Sequence, residues 1–238
     1  MAELHLQRPG CRAVRCAFDV AVVAARAGVE ITVVAPCLEG ALCCGYSRSM
    51  QPLPLNQRLD RIGQHIVRAR LFLDLWFYFE ERDSRCKIIE TMREYNEFFR
   101  FTPHAYFVAY VIYMAGVFDK RPGTISLPPL VREVKTLGQL KGQDAAAVDA
   151  LLVGAKSVVD KVLILRHEAF AHRSAHISYN DVFTMAAVKP DELRDLTDKA
   201  LKIANRLLLA RGLEDQYFTE LPREAAEAMM KALRVKGP

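Results

Sequence analysis

The sequence predicts an all-α helical bundle of the type in which amphipathic helices share one core, with a poorly defined N-terminal extension. Three observations carry that expectation. From Leu59 onward apolar residues recur at alternating spacings of three and four, the period of a helix with one buried face. The stretches are separated by helix punctuation: prolines just inside a start at Pro128-Pro129, Pro190 followed by two acidic residues, and Gly212 past an end. No internal repeat, low-complexity tract or Gly-rich phosphate loop interrupts the pattern.

Taken in order, the first stripe is Leu59, Ile62, Ile66, Ala69, Leu73 and Trp76, with Arg61, Gln64, Arg68 and Asp74 between, ending in the polar exit Glu80–Ser84. Ser84 is expected to cap a second helix through Ile88, Met92, Tyr95 and Phe99, broken or kinked by Pro103, which lacks an amide donor and disfavours helix at Thr102. A strongly apolar third helix, about His104–Phe118, should be central. Pro122-Gly123 marks a turn, and Ser126 opens a helix through Leu130–Leu137. Asp144 is expected to cap a long helix with the stripe Val148, Leu151, Ala155, Val158, Val162, Leu165. Ser178–Lys189 looks like loop with a little extended structure. Leu193, Leu196, Ala200, Ile203 and Leu207 form the buried face of the next helix, and a last one spans about Pro222–Leu233.

Composition sets wide bounds. The 238 residues suffice for a substantial core, and the net charge of +5 is compatible with a phosphate-bearing partner without demanding one. The apolar run Phe107–Phe118 is shorter than the roughly 20 residues a membrane-spanning helix needs, and the N-terminus lacks the pattern of a secretory signal. A cytoplasmic location is therefore expected. Five of the six cysteines precede residue 45, without C-x-x-C or a nearby histidine to complete a zinc finger, so free thiols are expected.

Residues 1–55 differ from the rest: rich in Cys, Val, Ala and Arg, without lysine, and closed by Gln51-Pro52-Leu53-Pro54. Two readings stand. The segment is a small or disordered extension, or it lies outside the native protein, with translation starting at Met50. Residues 56–238 form the expected helical domain.

The chemistry concentrates in Leu163–Tyr179, LILRHEAFAHRSAHISY, which holds three of the six histidines, two arginines and a carboxylate. Were the helix from Asp144 to continue, Arg166 and His172 would lie about 120° apart and flank one groove. Histidine titrates near neutral pH and can act as acid or base. A guanidinium stays charged and can contact phosphate oxygens in parallel hydrogen bonds. Spacing alone does not single out this pair, because Arg58 and His65 also satisfy R-x(4–6)-H.

The context of the pair adds weight. Arg166 is followed by the polar His167, and the other end reads Phe170-Ala171-His172-Arg173-Ser174 at the close of a long amphipathic helix. With Phe98-Phe99, Val117-Phe118-Asp119, the Ser126–Leu130 helix entry and the Leu165–His172 block, the region from about Asp60 to Gly212 resembles the AbiU-type (U-two-like) abortive-infection branch of the HEPN superfamily, named for higher eukaryotes and prokaryotes. The resemblance implies a HEPN-type helical bundle acting as a homodimeric, metal-independent endoribonuclease of a phage-defence or toxin-antitoxin system. RNA would be the substrate, an antitoxin or regulator a further partner, and no cofactor is expected. Arg166 and His172 would be catalytic, with His167 orienting the pair and Arg173 adding RNA affinity.

Other readings of the same residues stay open. The module could be catalytically silent and bind RNA, nucleotide or a partner protein. His172 lies on the apolar file of its helix and could be a core residue, Arg166 a cation at a helix C-terminus, and His176 a surface residue. Glu168, His172 and His176 are spaced for a shared zinc, yet the order is not H-E-x-x-H and no fourth ligand is evident. The aromatic-rich stretches Leu71–Phe79 and Tyr106–Phe118 are expected to be core rather than base-stacking platforms.

Overall fold

The computed structural model describes residues 52–171 and 177–235. Among them every regular element is a helix and none is a strand. Residues 1–51 of the expected N-terminal extension lie outside the described residues.

The long helix α1 (Leu55–Glu80) is the wall on which the rest packs. Its stripe Leu59, Ile62, Ile66, Ala69 and Leu73 is fully buried, and each large side chain contributes roughly 2 kcal/mol before entropy is counted. The stripe then steps four residues to Phe77, so Trp76 falls at the edge of the core. At Gly63 the loop that follows the penultimate helix crosses α1. A β-carbon there would sit 2.8 Å from the Gln216 side chain, while Gln216 exchanges backbone hydrogen bonds with the Asn205 amide.

Helix α2 (Arg82–Glu94) starts before Ser84, which is buried inside it rather than capping it. Glu81 turns extended at the end of α1, so α2 begins at the next residue. The Ser84 hydroxyl is then left to donate backward to the Glu81 carbonyl at 3.1 Å. The expected break also falls earlier than Pro103. Tyr95 leaves helical geometry, its carbonyl takes the amides of Phe98 and Phe99, and a single turn α3 (Asn96–Phe99) follows. Pro103 instead sits in the first turn of α4 (Thr102–Val117), where its missing amide costs nothing.

Helix α4 is central, as expected. Tyr110, with no exposed surface, donates its hydroxyl to the Leu193 carbonyl at 2.8 Å and lies 3.1 Å from the Thr197 hydroxyl. This polar knot fixes the register of α4 against the later helix that carries Leu193. The turn after α4 uses Gly123 at φ 80°, and buried Ser126 donates to the Asp119 carbonyl at 2.6 Å before α5 (Leu127–Thr136) begins. Helix α5 is tied to α1 by Arg58, which holds both carboxylate oxygens of Glu133 at 2.7 and 2.5 Å.

Helix α6 (Gly142–Ile164) starts from Lys141, not Asp144. Asp144 lies in the first turn and is engaged by Arg206 at 2.6 Å. Together with Lys199 on the Gly154 carbonyl and Lys161 on Glu192, that pair shows α6 running antiparallel to α8 (Pro190–Leu209). The expected loop Ser178–Lys189 is largely helical: α7 spans Tyr179–Ala186. Ser178 accepts the Asp181 amide at its start, and Val182 and Ala186 are buried, one turn apart. The left-handed Ala187 ends it.

Two cores result. The main one joins α1, α4, α5, α6, α7 and α8. A satellite of Tyr78, Phe79, Ile88, Met92 and Phe99 is closed by Ala226 and Met230 of α9 (Leu221–Val235). Phe77, Phe79, Phe107, Tyr110 and Phe118 are buried as expected of core aromatics.

Candidate functional site

Helix α6 delivers the candidate residues, but not as a continued α-helix. At Leu165 the backbone widens into a π-helical segment, Leu165–Ala171, a geometry rare in proteins and frequent at functional sites. Leu165 and Ala169 anchor it, with 0% and 6% exposure. Arg166 and Glu168 are half-buried and His167 is exposed. From Arg166 to Ala171 the α-helical rotation therefore does not apply, since each residue of a π-helix advances through a smaller angle.

Arg166 Nη1 lies 2.8 Å from His167 Nε2. A guanidinium has no acceptor, so His167 Nε2 accepts this hydrogen bond. The turn after α4 comes near enough to feel the arginine. The Asp119 carboxyl is held below the ordinary carboxylate range, chiefly by hydrogen bonding from Arg121 and also by the charge of Arg166. Arg121 binds Asp119 through its side chain at 2.6 and 2.8 Å and its backbone amide at 2.9 Å. Asp119 is thus committed to Arg121. Among the described residues no carboxylate lies within ion-pair distance of Arg166.

Of the residues selected from sequence, Arg166 and His167 are brought together. His172 and Arg173 lie outside the described residues, as does His176 of the alternative zinc triad. Among the described residues no three His, Cys, Asp or Glu side chains group to hold a metal. The second Arg/His match has a different character. Arg58 is spent on Glu133, and His65 packs edge-on to Tyr113 with ring centroids 5.7 Å apart.

The structure adds residues that sequence reasoning missed. Phe170, on the segment that carries Arg166, meets His104 of α4 edge-on at 5.9 Å, and Phe107, Phe183 and Tyr179 at 6.1 to 6.4 Å. His104 Nε2 and the Tyr179 hydroxyl are 3.3 Å apart. The signal for Tyr179 was present: Ser178-x-x-Asp181 is a helix-start pattern, and a helix from Tyr179 places Tyr179, Val182 and Phe183 on one side. Nothing in sequence marked His104 as their neighbour.

The described residues form an all-α bundle in which Arg166, the first residue of an Arg-x5-His sequence, follows a long core helix. A family model, HEPN_AbiU2, described as AbiU2, matches residues 53–220. The chain belongs to this family of abortive-infection HEPN modules. The match takes in α1 through α8 and stops just before α9. No curated protein and no solved structure matches the chain. No helix among the described residues is long and apolar enough to cross a membrane.

Proposed function

We propose that the protein is a metal-independent endoribonuclease acting as a homodimer in phage defence or a toxin-antitoxin pair, with Arg166 and His172 as its catalytic residues. One observation carries this reading: Arg166 stands half-exposed on a π-helical segment with no carboxylate partner among the described residues, whereas the other Arg/His match is consumed by structure. A guanidinium so placed suits a phosphate.

In this mechanism His172 removes the proton of an RNA 2′-hydroxyl, and the oxygen attacks the adjacent phosphorus. The 2′-O–P bond forms and the P–O5′ bond breaks. The leaving 5′-oxygen takes a proton from the imidazolium of the second protomer's motif. Arg166 holds the phosphorane oxygens as charge grows on them. The products are a 2′,3′-cyclic phosphate and a 5′-hydroxyl. His167, by accepting from Arg166, orients the guanidinium, and Arg173 adds phosphate affinity.

Cleavage of labelled RNA in EDTA tests the reading. Wild type should cut and leave cyclic phosphate ends, and Arg166→Ala and His172→Ala should each lower the rate by about 10²- to 10⁴-fold with unchanged helical circular dichroism. If wild type cuts no RNA but binds it, the module is a silent RNA-binding one. If both variants lose activity only in proportion to lost folding, the Arg/His pair is structural.

A further inference from the structure

Helices α2 and α9 enclose a cleft of about 410 Å³ beside the end of α1, within the range of small-ligand sites. Four cations line it, Lys87 on α2 and Arg223, Lys231 and Arg234 on α9, against two carboxylates, Asp83 and Glu227. Its floor is Tyr78 with the buried Ile88 and Met230. Burial and the charge of Glu227 push the Tyr78 phenol up, while Arg223 and Arg234 pull it down. Three of these charges therefore converge on one ring.

The charges of the cleft are left open. Asp83 and Lys87, like Glu227 and Lys231, stand four residues apart with the acid first, the spacing and order that favour an ion pair within a helix. Elsewhere that spacing closes, in Arg70–Asp74, Lys156–Asp160 and Asp195–Lys199. In the cleft it does not. Among the described residues the side chains of Lys87, Arg223 and Lys231 hold no hydrogen bond or ion pair, and Arg234 donates only to the Lys87 carbonyl. A cleft lined by an excess of one sign concentrates counter-ions of the other.

The excess of cations in a volume for one small molecule suits an anion of more than one charge, which a phosphate supplies and a single carboxylate does not. The guanidinium groups can take phosphate oxygens in parallel hydrogen bonds. Asp83 and Glu227 accept hydrogen bonds, so the ligand must also carry donors. A nucleotide has both, phosphates for the cations and ribose hydroxyls or base amines for the carboxylates. An RNA strand running along either helix would instead meet a carboxylate one turn from Lys87, Arg223 and Lys231.

We propose that the cleft between α2 and α9 binds a free nucleoside di- or triphosphate. None of its lining residues comes from Leu165–Ala171, so the site is separate from the Arg166 segment and does not rest on the ribonuclease reading. Arg223, Lys231 and Arg234 lie past residue 220, where the family match ends. The site therefore depends on α9.

Calorimetric titration of the full chain with adenosine and guanosine triphosphates in low salt tests the assignment. Saturable binding is expected, and weaker binding of inorganic triphosphate, which lacks the donors. Lys87→Gln and Arg223→Gln change exposed side chains without partners among the described residues. Each should weaken the nucleotides about tenfold with an unchanged melting temperature. Failure of both nucleotides to bind at millimolar concentration, or affinities unchanged in both variants, would overturn the site. Inorganic triphosphate binding as tightly as the nucleotides would overturn the nucleoside part. Arg166→Ala should titrate like wild type; if it loses binding while the cleft variants keep it, the nucleotide sits at the motif and the cleft assignment falls. A hydroxyl-ended RNA oligomer that displaces the nucleotide through Lys87 and Arg223 would make the ligand an RNA strand and overturn the free nucleotide.

Discussion

At the scale of single residues, the same residue pair has opposite fates in two places. His65 is half-buried against Tyr113, and burial first, then the charges of Arg68 and Arg61, pulls its imidazole below the ordinary 6.5. The folded chain holds that proton less tightly than the unfolded one. Its contribution to stability is fully present above about 6.5 and lost as pH falls through the lower folded value. Urea midpoints measured from neutral to acidic pH should show this decline, and His65→Gln should flatten it. Identical slopes for the two proteins would mean that His65 is not coupled to folding. Arg166, by contrast, is ion-paired to no carboxylate among the described residues, and His167 Nε2 accepts a hydrogen bond from it. An arginine that stabilised the fold would be expected to resemble Arg58 or Arg70, the latter held by Asp74 and Asp198 at 2.8 Å each.

At the scale of elements, the π-helical segment is what separates geometry from motif. Deleting Ala171, an exposed residue at its end, leaves Arg-x4-His, which still satisfies the family spacing. If the widened backbone sets the alignment of Arg166 with His172, that deletion should cost about 100-fold in RNA cleavage while leaving the melting temperature nearly unchanged. A deletion variant as active as wild type would show that the spacing tolerates either geometry. The elements also show what was legible beforehand. Stripes at three and four located α1, α6 and α8, because burial of one face dominates their energetics, and a continuous apolar run located α4. The starts at Ser84 and Asp144 were misplaced because each cap residue competed with a tertiary role: Ser84 bonds to carbonyls at the end of α1, and Asp144 is engaged by Arg206. The hidden part of the site is of the same kind. Arg166 and His167 stood in a local motif. His104 and Tyr179 meet only through the packing of α4 against α7, a contact between residues far apart in sequence.

At the scale of the whole molecule, the proposed chemistry needs two copies, because one His172 cannot accept from the 2′-oxygen and donate to the 5′-oxygen at once. Association that stabilises the fold makes unfolding concentration-dependent. The apparent melting temperature should therefore rise as protein concentration is raised, and light scattering should give twice the chain mass. A concentration-independent transition with the mass of one chain would move the acid role to a group within the same protomer. The main core is organised for such a task, since Tyr110 ties α4 to α8, Arg70 ties α1 to α8 and Arg58 ties α1 to α5, and the motif segment is attached to that frame at Leu165 and Ala169.

The division into two cores has a further consequence. Helix α9 closes only the satellite cluster and begins where the family match ends. Its amides can therefore open to solvent without disturbing the knot between Tyr110 and α8. Hydrogen–deuterium exchange should divide the chain accordingly, with α9 labelled through local opening and α4 and α8 only through global unfolding. Removing α9 should then leave the frame beneath the motif folded.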